Sequence, residues 1–136
     1  MILDIAYTQH RGTDWRYPVQ QDALWNSVEV IQSRNRLPAG LQTHADVISL
    51  AVADGLGGTP QAERASRTVL EELAAAIQGG ALFDRGLVRR IHARLCDRLA
   101  FGETIGSATT LAAVQIQGEQ CSVMSVGDSR VYRLSS

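Results

Sequence analysis

The sequence predicts an α+β fold in which antiparallel sheets pack on one another with helices outside. Three observations carry this. Strand-like runs occupy both ends of the chain, with two helical patterns between them. Neighbouring strands are joined by short connections, which favour antiparallel pairing over the long crossovers of a parallel sheet. The run at 47–53, Val-Ile-Ser-Leu-Ala-Val-Ala, has almost no polar alternation and reads as a strand covered on both faces. At 136 residues, 45% of them hydrophobic, the chain suits one domain spanning 1–136 and has the material for a real core. That composition excludes a disordered chain.

Taken in order, residues 2–9 and 23–31 read as strands, the second showing period-two alternation at Val28, Glu29 and Val30. The loop from Arg11 to Asp22 separates them. Residues 33–40 read as a polar turn before the apolar strand that ends at Asp54. Gly55, Gly57 and Gly58 then permit close approaches and unusual backbone angles, and Thr59-Pro60 supplies a helix start. A helix over 60–77 puts Ala62, Ala65, Val69, Leu73 and Ile77 on one face and stops at Gly79-Gly80. A second, over 84–101, has Asp84 as its N-cap, a stripe of Leu87, Ile91, Leu95 and Leu99, and Arg90, Arg94 and Arg98 elsewhere on the cylinder. His92 reads as a surface or satisfied helical residue. Strands follow at 108–117 and 121–126, joined by a turn at Gln117-Gly118-Glu119. Gly127-Asp128-Ser129-Arg130 makes another turn, and 131–134 begins a further strand, leaving a sheet edge open to pairing.

Charge and cysteine usage narrow the function classes. Thirteen basic and 14 acidic residues leave a formal charge of −1, which provides no broad attraction for nucleic acid or an anionic membrane. Cys96 and Cys121 lie in a helical and a strand pattern, neither in a CxxC pair, and read as two buried thiols in a reducing compartment. No apolar stretch reaches the ~20 residues of a membrane span, and the first residues lack a secretory pattern. A soluble cytoplasmic protein is the expectation.

Asp22 and Asp54 each stand at a loop–strand junction. Hard divalent cations such as Mg2+ and Mn2+ take oxygen ligands and keep several waters, so few carboxylates per ion suffice. Two aspartates far apart in sequence also suit N-cap or turn roles, and taken alone they leave both readings open.

The order of three segments is more specific. Arg16-Tyr-Pro-Val-Gln-Gln21-Asp22-Ala23, then Val52-Ala-Asp54-Gly55-Leu-Gly57-Gly58, then Gly106-Ser-Ala-Thr-Thr110-Leu111 with Val126-Gly127-Asp128-Ser129-Arg130-Val-Tyr132, resembles the protein phosphatase 2C (PP2C, PPM) family of metal-dependent protein serine/threonine phosphatases, in its bacterial form. The resemblance implies an αββα sandwich of antiparallel sheets flanked by helices, incomplete at its C-terminal end. It implies a signalling hydrolase that acts on phosphorylated proteins and uses two Mn2+ or Mg2+ ions. Asp54 would bridge the ions, the Gly55 backbone carbonyl would be a ligand of one, and Asp22 would hold metal-bound water. Gln21 stands where the family often has Glu. Arg16 would bind phosphate, one residue displaced from the family's usual spacing, with a solvated loop arginine as the alternative and Arg11 behind it. Leu56 stands where some eukaryotic members carry a proton-donating histidine, so a water or another residue must protonate the leaving alkoxide. Asp128 and Arg130 read as turn and ion-pair residues, Thr109 and Thr110 as strand structure.

Family members continue past the Gly-Asp-Ser-Arg segment and supply further aspartates, whereas no Asp follows Asp128 here. The expectation is the N-terminal portion of a longer phosphatase, with a non-catalytic phosphoprotein-binding module as the alternative. Other chemistries fit less well. Gly55-Leu-Gly57-Gly58-Thr59-Pro60 is neither GxGxxG nor a P-loop. Ser129 as an esterase nucleophile lacks a recognisable base, since His10, His44 and His92 all precede it without a triad motif.

Overall fold

The computed structural model describes residues 2–134. In chain order its elements are β1 (Ile2–His10), β2 (Asp22–Trp25), β3 (Val30–Ile31), β4 (Asn35–His44), β5 (Val47–Asp54), α1 (Ala62–Gln78), α2 (Arg85–Leu99), β6 (Leu111–Gln117) and β7 (Gln120–Val126). β1 and β4 form a two-stranded sheet, and the others a five-stranded sheet of order β3-β2-β5-β6-β7. Every pairing is antiparallel; short turns join β2 to β3 and β6 to β7, whereas β1–β4, β2–β5 and β5–β6 pair across longer stretches of chain.

Period-two alternation divides the five-stranded sheet into two apolar faces. Ala23, Trp25, Ala51, Ala53, Leu111, Ala113 and Met124 face the helices, where Val69, Leu70, Leu73, Leu87 and Ile91 complete the core. On the opposite face, Leu24, Leu50, Val52 and Val114 meet Ile5 and Tyr7 of β1 across an apolar cavity of about 420 Å³. The layers therefore run helices, five-stranded sheet, two-stranded sheet. The helical stripes lie where the 3.6-residue period places them. Asp84 caps α2 by accepting from Leu87 N at 2.8 Å. Glu72 ties the helices together, accepting from Arg94 at 3.2 Å and Arg98 at 2.8 Å. α1 begins at Ala62 rather than Pro60, because Gln61 takes a left-handed φ of 48°.

Five expectations are corrected. Residues 23–31 are not one strand but the hairpin β2–β3, turned by Asn26, whose side-chain oxygen accepts from Val28 N at 3.0 Å and Glu29 N at 2.9 Å. Most of the polar turn at 33–40 is the start of β4, which buries no residue fully and breaks period two between Arg36 and Ala39, and so carries no hydrophobic signal. Pro38 is tolerated there because, among the described residues, β4 has only β1 as a partner. Residues 131–134 form no strand, having no ladder partner among the described residues. Both cysteines are exposed. Cys96 lies off the buried stripe of α2, its sulfur 3.6 Å from His92 Nε2, and Cys121 lies on β7 beyond the reach of the small sheet. Arg130 makes no ion pair among the described residues and donates instead to Tyr132 Oη at 3.1 Å.

Candidate metal centre

β2 and β5 pair so that Asp22, the first residue of one, stands directly opposite Asp54, the last of the other. Side chains opposite each other in an antiparallel pair lie on one face with Cβ atoms about 5 Å apart. Asp22 shares its face with Leu24, and Asp54 with Val52, so both carboxylates open toward the small sheet. There they line a pocket of about 280 Å³ with Thr8, Gln9, His10 and Ser129. Both residues remain accessible to solvent. Even so, the Asp22 carboxyl is pushed up to about 6, first by desolvation, then by a hydrogen bond with Asp54 and by the charge of Asp54.

Each aspartate is held by its backbone. Gln9, 7% exposed, donates through Nε2 to Asp22 O and Ile31 O, both at 3.3 Å, and accepts from Ser33 N at 2.9 Å. It joins the two sheets at the site. Gln20 Oε1 accepts from Asp22 N at 3.2 Å. Asp54 N donates to Thr110 Oγ1 at 3.0 Å, and Asp54 O accepts from Thr110 N and Thr109 Oγ1, both at 2.9 Å. Thr110 Oγ1 lies 2.6 Å from Ser129 Oγ, so the Gly-Asp-Ser-Arg turn is fastened to the end of β5.

Gly55 is buried, and a Cβ there would stand 2.4 Å from Ala62 O and 2.8 Å from Gln21 O. Only glycine lets the chain pass between the start of α1 and the strand bearing Asp22. Tyr17 rests on Gly57, its ring 3.3 Å from where a Cβ would be. This folds the 11–21 loop over the glycine turn. Arg16 lies on the outside of that loop with its guanidinium on Asp14, at 2.6 to 3.1 Å. That contact holds the Asp14 carboxyl below its usual value. Arg16 is not among the residues lining the carboxylate pocket. Leu56 is 52% exposed at the glycine turn.

Residues 37–135 match the family model for protein phosphatase 2C. The chain belongs to the protein phosphatase 2C family. No curated protein and no solved structure matches it. The match takes in Asp54, Gly55, Thr110 and the Gly-Asp-Ser-Arg turn and begins after Arg16 and Asp22.

PP2C proteins generally use Mn2+ or Mg2+, and the donor chemistry present here fits such ions. Two carboxylates share one face; desolvation is the main cause of the raised Asp22 carboxyl, and the Asp54 charge that adds to it is one a cation would compensate. No group of three or more His, Cys, Asp and Glu side chains converges among the described residues, so water would complete a coordination shell. Gln9, His10, Thr110 and Ser129 were not legible as parts of this site. They come from places far apart in the chain and leave no sequence period, although the Gly-Asp-Ser-Arg segment itself signalled a constrained turn.

Proposed function

We propose that the chain provides the Asp22–Asp54 half of a metal-dependent phosphatase centre that hydrolyses phosphoserine and phosphothreonine in proteins. The observation that supports it is the face-to-face register of those two aspartates in a PP2C chain. Bound there, two Mn2+ or Mg2+ ions would supply a water nucleophile near neutral pH and charge stabilisation for phosphoryl transfer. Asp54 and Asp22 hold and orient, and the Gly55 carbonyl offers a third oxygen. Arg16 serves as the phosphate-binding arginine by exchanging Asp14 for phosphate oxygens. Leu56 has no proton to give, so the proton for the leaving alkoxide comes from elsewhere. A pocket of about 280 Å³ has room for a phosphoryl group and leaves the polypeptide outside.

One observation favours a second reading, a phosphoprotein-binding module without hydrolysis: the site gathers two carboxylates and no third among the described residues. Mn2+-dependent hydrolysis of p-nitrophenyl phosphate and of a phosphothreonine peptide separates the two. The phosphatase reading expects turnover by the wild-type chain and its loss in Asp54→Ala. Equal rates in both would reject the metal assignment, and no rate in either would favour the binding module.

A further inference from the structure

The hydroxyl of Thr110 is held between a backbone donor and a second hydroxyl, and burial bears on which of the two hydroxyls donates. Its oxygen accepts from Asp54 N at 3.0 Å, and the only other polar atom bonded to it among the described residues is Ser129 Oγ at 2.6 Å. Thr110 is 8% exposed, so its own proton has no ready solvent partner. Were Ser129 the donor, the Thr110 proton would be buried without an acceptor, an arrangement folded proteins avoid. Either hydroxyl could donate across the 2.6 Å contact, and the requirement that both be satisfied assigns Thr110 as donor and Ser129 as acceptor. The Ser129 proton is then the one left over, and Ser129 lines the pocket that holds Asp22 and Asp54.

The turn enforces this arrangement. Gly127 has φ +94°, and a Cβ on it would stand 2.8 Å from Thr110 Cγ2. Ser125 Oγ donates to Ser129 O at 3.3 Å, closing the turn from its other side. The serine is thus fixed against a buried residue just before β6 and cannot turn away without leaving Thr110 unsatisfied. From this we propose that Ser129 is a substrate-positioning residue, a hydroxyl donor to a phosphate oxygen in the Asp22–Asp54 pocket, aimed by Thr110. The inference rests on the phosphatase reading and adds a residue to it. A hydroxyl donor suits phosphate because phosphate oxygens are acceptors and the two carboxylates contribute no proton of their own when ionised.

Two measurements on the full chain test it. In the metal-free protein, proton NMR should show the Thr110 hydroxyl proton in slow exchange, with contacts to the Ser129 β-protons. It should disappear in Ser129→Ala. A rapidly exchanging Thr110 hydroxyl in the wild type would overturn the relay whatever the activity. With Mn2+, Ser129→Ala should raise KM for p-nitrophenyl phosphate and the inhibition constant of inorganic phosphate about tenfold, while Mn2+ affinity read by electron paramagnetic resonance stays within about twofold. Ser129→Thr and Thr110→Ser keep both hydroxyls and should restore wild-type values, whereas Thr110→Val should resemble Ser129→Ala. Unchanged KM and phosphate inhibition in Ser129→Ala would overturn the positioning role. A wild-type chain that binds no Mn2+ would overturn the phosphatase reading and the ligand-facing half of this one, leaving the NMR result to judge the relay.

Discussion

Desolvation of Asp22, and after it the like charge of Asp54 directly across the ladder, opposes ionisation in the folded chain, and at the residue scale this gives the site a pH signature. The Asp22 carboxyl binds its proton more tightly in the folded chain, at about 6, than in the unfolded chain, at about 3.9. Between those values the folded state holds more protons, so stability falls as pH rises. This contribution is fully present below about pH 4 and is lost as pH passes through 6. Thermal melts in EDTA from pH 4 to 7.5 should show the decline. Asp22→Asn should flatten it and raise the melting temperature at pH 7 while abolishing Mn2+ binding. An unchanged profile in that variant would contradict the coupling. Gly55 makes the complementary case, since its missing side chain is a packing requirement. Gly55→Ala should cost about 1–3 kcal/mol in urea unfolding, because the atom it meets at 2.4 Å is backbone. Gly40→Ala, whose nearest neighbour is 3.5 Å away, is the control. Asp54, Asp22 and Gly55 were each legible from junction position and motif. That Asp22 faces Asp54 was not, because register is set by the whole β2–β5 ladder.

At the scale of elements, legibility followed the strength of the periodic signal. α1 and α2 were legible because apolar residues three and four apart cannot serve a strand, and because Asp84 and Gly79 have the chemistry of helix ends. β4 was not, since a strand that alternates Arg36, Ala39 and Leu41 with polar or exposed positions buries too little to show a pattern. Its stability comes from pairing with β1 and from Arg36, whose guanidinium lies 5.3 Å from the centre of the Tyr7 ring. The turn at Asn26 was hidden for a related reason: β-branched Val28, inside it, and Val30, just after it, have the spacing of a strand. Between the helices, Glu72 accepts from two arginines while itself only 13% exposed. Both guanidinium groups are more than half exposed, which limits their worth. Glu72→Gln should lower stability by about 1 kcal/mol, with the loss shrinking in 1 M NaCl. A salt-independent loss would assign the effect to packing.

Across the molecule, five strands face two, and this inequality explains what the fold leaves uncovered. The fold class followed from strand order and connection length. The centre did not, since it is assembled from the ends of β2 and β5, the approach to β6 and the turn after β7, four places that only the folded sheets bring together. The small sheet covers the β2–β5 region and stops short of β7. Val123 is consequently 56% exposed, although its ladder neighbour Val114 lines the apolar cavity. β7 is also an edge strand, and Gln120–Val126 contains neither a charged residue nor a proline, two of the devices that protect edges from pairing with other chains. A self-pairing of this strand meets no charge repulsion. The chain should therefore associate with rising concentration, and Val123→Lys should suppress that association by placing a charge on the exposed face of the edge. Because Val123 is remote from Asp22 and Asp54 in the ladder and lines no part of their pocket, Mn2+ affinity should be unchanged. Sedimentation velocity from micromolar to high micromolar concentration, run on wild type and Val123→Lys, reads the association. If the lysine variant associates as readily as the wild type, the β7 edge is not the surface responsible.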